Sequence, residues 1–257
     1  MKNLIIGNTS QLSYYFPDDY EKISSRNVKF TDEKYDRVYI CFAEQRTYLQ
    51  DDTKIFYDIN VGYTIDLIKH FSKTSNQIIV YGTSELWNNC NGAVDINTPY
   101  GYRPTHYILS KKMMIEKIKE KFNNVIILHT FNFNSINRKE GFLFSKIFNS
   151  IINNNKITIG NTYFYRELLH PKFVVDQSIK ATSDTLIGSG RLIFVNDFIR
   201  SLYSHFDMKY EDFVTEDYKE NITSDEKIFY LKSKQILYNN IYKDTISEIE
   251  KIKMTNG

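Results

Sequence analysis

The stretch Gln77-Ile78-Ile79-Val80-Tyr81-Gly82-Thr83-Ser84-Glu85-Leu86-Trp87 decides how this chain is read. Gln77 to Tyr81 is a run of mainly β-branched and aromatic residues without polar alternation, the pattern of a strand covered on both faces in a parallel sheet. The run stops at Gly82. A hydroxyl on Thr83 and a carboxylate on Glu85 follow at the C-terminal end of that strand, the end at which open α/β sheets present their chemistry. Two residues apart on a continuing strand, these side chains face the same side.

Similar runs lie on either side, at Leu4 to Ile6, Arg37 to Phe42 and Asn124 to Leu128. Between them, Val61 to Phe71 (VGYTIDLIKHF) and Tyr107 to Phe122 (YILSKKMMIEKIKEKF) place apolar residues three and four apart, which predicts helices with one buried face. Strands alternating with such helices predict an α/β fold, a parallel sheet covered by helices. Beyond Thr130 the pattern loosens into helical stretches near 142–153, 195–206 and 234–253 and short extended pieces near 157–159 and 191–195. This second half reads as a smaller lobe wrapped on the sheet.

The chain has 257 residues and a net charge of +2, so it lacks the basic excess that nucleic-acid binding needs. With 42% hydrophobic and 25% charged residues it can bury a real core, which excludes disordered and fibrous classes. No run approaches the ~20 apolar residues of a membrane span, and the first apolar run meets Gly7 at once, too soon for a signal peptide. The two cysteines, Cys41 and Cys90, form no CxxC pair and fit a reducing, cytoplasmic setting. None of the five histidines has metal-ligand spacing, so no metal is expected.

The first run leads into Gly7-Asn8-Thr9-Ser10-Gln11-Leu12-Ser13, where a dinucleotide-binding fold places its glycine-rich turn before the first helix. Such a turn lets the backbone and the helix N-terminus meet a pyrophosphate. Here Ser10 and Ser13 stand at the second and third glycine positions, and their hydroxyls are read as donors to phosphate. Downstream, Tyr107-Ile108-Leu109-Ser110-Lys111 is a YxxxK pair on one helix face, in which a lysine charge lowers the phenol pKa. With 20 tyrosines in the chain, chance spacing supplies about two such pairs, and the second is Tyr230 and Lys234. Only the first follows a strand end that carries Thr83.

On these residues the chain resembles the extended short-chain dehydrogenase/reductases, the NAD-dependent epimerase/dehydratase family, whose catalytic triad is similar to Thr83, Tyr107 and Lys111. Several blocks are most similar to its GDP-mannose 4,6-dehydratase branch: the segment 81–87, Asn97-Thr98-Pro99-Tyr100 with Arg103-Pro104, and Phe131-Asn132-Phe133-Asn134-Ser135 with Arg138 and the stretch 142–147. Gly160-Asn161 with Arg166, Cys41-Phe42-Ala43-Glu44-Gln45 and Asn60-Val61-Gly62 add to it. The resemblance implies a Rossmann-like domain over 1–130 with a returning segment about 171–190, and a small substrate-binding lobe over 131–170 and 191–257. It implies a nicotinamide dinucleotide held by Gly7, Ser10, Gln11, Leu12, Arg26, Ala43, Tyr107 and Lys111. A nucleotide sugar, GDP-linked in the nearest branch, is then held by Ser84, Asn132, Asn134, Arg138, Lys146 and Arg166. The catalytic set becomes Thr83, Glu85, Tyr107 and Lys111, in a cytoplasmic homodimer. Ser25 and Arg26, where the second strand ends, favour NADP over NAD, because arginine suits a ribose 2′-phosphate where an acidic residue holds the 2′-hydroxyl.

The chain departs from that family in two places. Two glycines of the phosphate turn are serines, and only about ten residues separate Arg26 from the run at Arg37. A helix and a strand of the family are therefore expected to be missing. Glu85 favours a dehydratase; a C4 keto-reductase or epimerase leaves it idle. A degenerate, non-catalytic binding subunit is the reading from another class.

Overall fold

The computed structural model describes residues 2–47, 53–217 and 227–256. Its strands are β1 (Lys2–Ile6), β2 (Glu21–Ile23), β3 (Tyr35–Ile40), β4 (Ser75–Tyr81), β5 (Gly92–Val94), β6 (Val125–Thr130) and β7 (Asn132–Phe133). Then come β8 (Ile157–Ile159), β9 (Tyr165–Arg166), β10 (Leu168–Leu169), β11 (Thr185–Ile187), β12 (Ile193–Phe194), β13 (Val214–Glu216) and β14 (Phe229–Leu231). Six of them form one sheet in the order β11-β6-β4-β3-β1-β2, with every neighbouring pair parallel. The rest pair two by two outside it.

The run that decided the sequence reading behaves as its composition requires. Ile78, Ile79 and Val80 are buried at the centre of the sheet, as are Leu4, Ile5, Ile6, Val38, Tyr39 and Ile40 on the strands beside it. Helices cover this sheet. A helical segment begins with α1 (Lys54–Tyr57), widens into a π-helical turn (Asp58–Tyr63) and continues as α2 (Thr64–Phe71). Next comes α3 (His106–Lys121), which starts at Thr105, whose Oγ1 accepts from the Ile108 N–H. Its buried residues Ile108, Lys111, Met114, Ile115 and Ile118 recur at three and four. The second half contributes α4 (Leu143–Asn153), α5 (Pro171–Lys180), α6 (Val195–His205), α7 (Tyr210–Phe213) and α8 (Ile241–Asn256). No helix among the described residues is long and apolar enough to cross a membrane.

Three local expectations are corrected. The turn after β1 does not enter an α-helix; it closes into one 3₁₀ turn over Leu12–Tyr14, and the chain proceeds directly to β2. The last helix starts at Ile241, not near 234, because Ser233 folds a turn in which its hydroxyl donates to the Gln235 carbonyl and accepts the Gln235 N–H. The strand at 77–81 ends at Tyr81, and Ser84–Trp87 is a 3₁₀ helix capped by Thr83, so Thr83 and Glu85 do not lie on one strand face.

Residues 24–34 contain no helix or strand, so β2 is the sheet edge, where the usual doubly wound order 3-2-1-4-5-6 has a further strand. The chain passes from β1 to β2 on one side and from β2 to β3 on the other. Strand order therefore reverses between β1 and β3. A crevice opens beyond the C-terminal ends of these strands, the place where open α/β sheets bind ligands.

Candidate active site

A cavity of about 470 Å³ occupies that crevice. Its walls come from the turn after β1 (Gly7, Thr9, Ser10, Gln11, Leu12), the end of β2 (Ser24, Ser25, Arg26) and the segment after β3 (Cys41 to Arg46). Gly82 and Thr83 after β4, Tyr107 and Lys111 on α3, and residues of the segment 130–142 complete it. Of the residues named from sequence, Gly7, Ser10, Gln11, Leu12, Arg26, Ala43, Thr83, Tyr107, Lys111, Asn132, Asn134 and Arg138 line this one space. Ser84, Glu85, Lys146 and Arg166 do not. Lys146 is exposed and its Nζ donates to the Thr158 carbonyl at 3.3 Å, while Arg166 lies 4.7 Å over the Phe164 ring and donates to the Tyr165 carbonyl. Ser84 is buried in the 3₁₀ helix.

Gly7 is required by its geometry: φ is +108°, and a Cβ there meets the Cys41 and Phe42 backbone at 3.3 Å. The serines that replace the other glycines are occupied with each other. Ser13 Oγ donates to the Gly7 carbonyl at 2.6 Å, so in the 2.9 Å contact between the two hydroxyls Ser10 is the donor. Ser10 Oγ also accepts the Ser13 N–H. In this structure both hydroxyl protons are thus taken up inside the turn, and Ser10 still lines the cavity. Gln11 is similarly engaged, its Oε1 accepting from the N–H and hydroxyl of Ser135 at 2.9 and 3.2 Å.

Cations dominate the charge of the cavity. Arg26, Arg46, Lys111, Arg138 and Lys139 line the cavity, against the single carboxylate of Glu44. Arg46 clasps that carboxylate with Nε to Oε1 at 2.9 Å and a terminal nitrogen to Oε2 at 2.5 Å. The backbone of Glu44 is fixed by Asn60 from the π-helical turn, which accepts the Glu44 N–H at 2.8 Å and donates to its carbonyl at 3.0 Å. Asn60 also donates to Ser110 Oγ, and Ser110 donates to the Tyr107 carbonyl. One amide therefore ties the segment after β3 to α3. Arg46 and Lys139 went unassigned in the sequence, where the only signal was charge close after a strand end.

Lys111 is buried, and its Nζ donates to the Tyr81 carbonyl at 2.8 Å. Burial pushes its ammonium down to about 8. Burial likewise pushes the Tyr107 phenol up to about 12; a hydrogen bond with Thr83 and the charge of Arg138 pull it down, and the Glu85 carboxylate adds to the rise. The expected lowering by Lys111 is therefore replaced: in this structure the opposing forces come from Thr83 and Arg138. The Arg138 guanidinium sits 3.9 Å over the Phe142 ring, its Nε is enclosed without a hydrogen-bond partner, and burial pushes it down to about 10. Glu85 is half-buried, with its N–H on Thr83 Oγ1 and its Oε2 accepting from Asn88. The other YxxxK is not on a helix: Tyr230 belongs to β14 and Lys234 to the loop after it. No group of three or more metal-ligating side chains comes together among the described residues.

No protein-family model matches this chain, and no curated protein matches it in sequence. Solved structures do. RMD from Pseudomonas aeruginosa, solved with NADPH, superposes with a TM-score of 0.78 at 12% identity over 99% of this chain and 100% of that one. The UDP-N-acetylglucosamine 4-epimerase from Methanobrevibacter ruminantium, solved with UDP-N-acetylmuramic acid, gives 0.78 at 11% over 100% and 99%. TunA, an NAD-dependent NDP-hexosamine 5,6-dehydratase of tunicamycin biosynthesis, gives 0.77 at 16% over 99% and 98%. The parallel sheet and helices of this chain are thus the Rossmann fold that these enzymes share, across essentially its whole length.

Proposed function

We propose that this chain is a nucleotide-sugar enzyme that oxidises C4 of a hexose with a bound nicotinamide dinucleotide and carries the reaction on to a 4,6-dehydration. The observation behind the reading is the convergence of Thr83, Tyr107 and Lys111 on one cation-lined cavity where strand order reverses. The residues present fit such a cofactor. The glycine turn packs closely on the end of β3, Arg26 stands at the end of β2 to meet a 2′-phosphate, and Arg46 adds a second guanidinium to the wall. NADP is the cofactor this favours, with NAD the alternative. When bound, the nicotinamide accepts hydride from the sugar and returns it.

In this reading Tyr107 removes the C4 hydroxyl proton, helped by the Arg138 charge and the Thr83 hydrogen bond, both of which oppose the effect of burial. Thr83 steadies the sugar oxygen. Lys111, anchored on the Tyr81 carbonyl, locks α3 to the end of β4 and lines the cavity that would hold the cofactor. Glu85 takes the C5 proton and assists loss of water from C6. Asn132, Asn134 and Arg138 hold the substrate, and the Arg138 guanidinium, whose buried Nε has no hydrogen-bond partner, suits an anionic group on it. The resemblance further supports a GDP-linked sugar and a homodimer.

The test is incubation of the purified protein with UDP- and GDP-linked hexoses, read by mass spectrometry for loss of one water. Absence of any conversion, with no nicotinamide bound to the protein, sinks the reading. A second reading, C4 keto-reductase or epimerase, is favoured by one observation: Glu85 sits in the 3₁₀ helix and off the cavity wall. Glu85→Gln separates the two. A dehydratase should then oxidise C4 and accumulate reduced cofactor without dehydrated product; unchanged product formation promotes the reductase or epimerase.

The serine turn gives a further expected result. Ser10→Gly opens the turn while Ser13 keeps its bond to Gly7, so dinucleotide binding measured by calorimetry should tighten. Unchanged affinity would remove this turn from the cofactor site.

A further inference from the structure

His129, on β6, is fully buried beside the end of β4 and has no part in the chemistry above. Its ring is held on several sides. Trp87 meets it edge-on with centroids 5.2 Å apart, and Tyr100 lies 6.2 Å away. Gly82 passes so near that a Cβ there would stand 2.6 Å from Nδ1. Nδ1 is 3.4 Å from the Thr83 carbonyl oxygen, and Nε2 is enclosed without a partner. Burial pushes the imidazole down to about 4, so the ring is neutral at ordinary pH. A neutral imidazole carries one N–H, and a carbonyl only accepts. The proton therefore sits on Nδ1, and the unpartnered Nε2 is the bare nitrogen.

Thr83 is thus held at two atoms, its carbonyl by His129 and its Oγ1 by the Glu85 N–H at 3.2 Å. We propose that His129 is a positioning residue, whose Nδ1–H pins the Thr83–Ser84 peptide so that the Thr83 hydroxyl stays directed at Tyr107. This rests on the role proposed above for Thr83. Gly82 belongs to the same device, since a side chain at 82 would push the ring off the carbonyl.

Two measurements on the full chain test it. In the substrate-free protein, ¹⁵N NMR of labelled histidine should find His129 neutral and protonated at Nδ1 across neutral pH; protonation at Nε2 overturns the proposal, because a bare Nδ1 then faces the carbonyl. The second measurement compares His129→Phe, which keeps the ring packing and removes the donor, with His129→Asn, which keeps a donor near the Nδ1 position. With the hexose that the UDP- and GDP-linked panel shows to be converted as probe, His129→Phe should lose about a hundredfold in kcat, the scale of a small misplacement of a reacting group, with KM little changed and a native circular-dichroism melt. His129→Asn should recover most of the loss. A folded His129→Phe enzyme as fast as wild type, alongside an inactive Thr83→Ala, overturns the proposal alone. A Thr83→Ala enzyme as fast as wild type instead removes Thr83 from the chemistry and marks a failure of the functional reading.

Discussion

Tyr107→Phe should lower turnover by about 10²–10⁴-fold, the usual contribution of a general acid or base, while leaving the melting temperature near that of wild type. The substitution removes one oxygen from a side chain whose ring packs against the core beside Ile108 and Lys111. It also removes the phenol proposed above as the proton carrier, whose acidity Thr83, Arg138 and Glu85 act on. Steady-state kinetics on the sugar that the mass-spectrometric panel identifies measures the effect. Activity within a few-fold of wild type would reject Tyr107 as the proton carrier. Tyr230→Phe is the control and should be silent, because that tyrosine is partly exposed on a short outer strand.

Glu167→Ala should be strongly destabilising. The carboxylate is fully buried, and it accepts from the N–H groups of Ser189, Gly190 and Leu231 and from the Ser189 hydroxyl. It thereby joins the end of β9 to the loop after β11 and to β14, three segments far apart in sequence. Alanine leaves the three backbone N–H groups without an acceptor, while the Ser189 hydroxyl keeps the Arg191 carbonyl at 3.0 Å. At about 1–3 kcal/mol for each unsatisfied group, the loss reaches at least about 3 kcal/mol, a large share of the typical stability of a domain. For a chain of this size that corresponds to a fall in Tm of roughly 6–12 °C, measurable by calorimetry. A shift under about 2 °C would mean that water replaces the carboxylate in the knot.

The strands and helices were legible because they depend on neighbours in sequence. The apolar runs at 4–6, 37–42, 77–81 and 124–128 each fall on a strand of the central sheet, and the periodic stretch at 107–122 is α3 within one residue. Boundaries failed where a side chain competes for the backbone. Thr83 accepts the Glu85 N–H and so ends the strand in a 3₁₀ helix, and the Ser233 turn delays α8. The missing first helix was not visible either, since Leu12 and its neighbours have no composition that distinguishes one turn from three.

Residue type and spacing alone were enough for the α/β class, for residues that line one cavity at the ends of β1, β3 and β4, and for the pairing of Tyr107 with Lys111 on one helix face. They did not say where each proton or charge goes. That Lys111 donates to the Tyr81 carbonyl, that Ser10 and Ser13 satisfy each other, and that Arg138 rather than Lys111 lends its charge to the phenol follow from contacts up to about thirty residues apart. The same holds for His129, an unremarked residue in sequence that packs on the Gly82–Thr83 backbone 46 residues away. The reason is physical: secondary structure responds to short-range periodicity, whereas the partner of a donor and the pKa of an acid are set by burial and by groups that only the folded chain brings within a few ångströms.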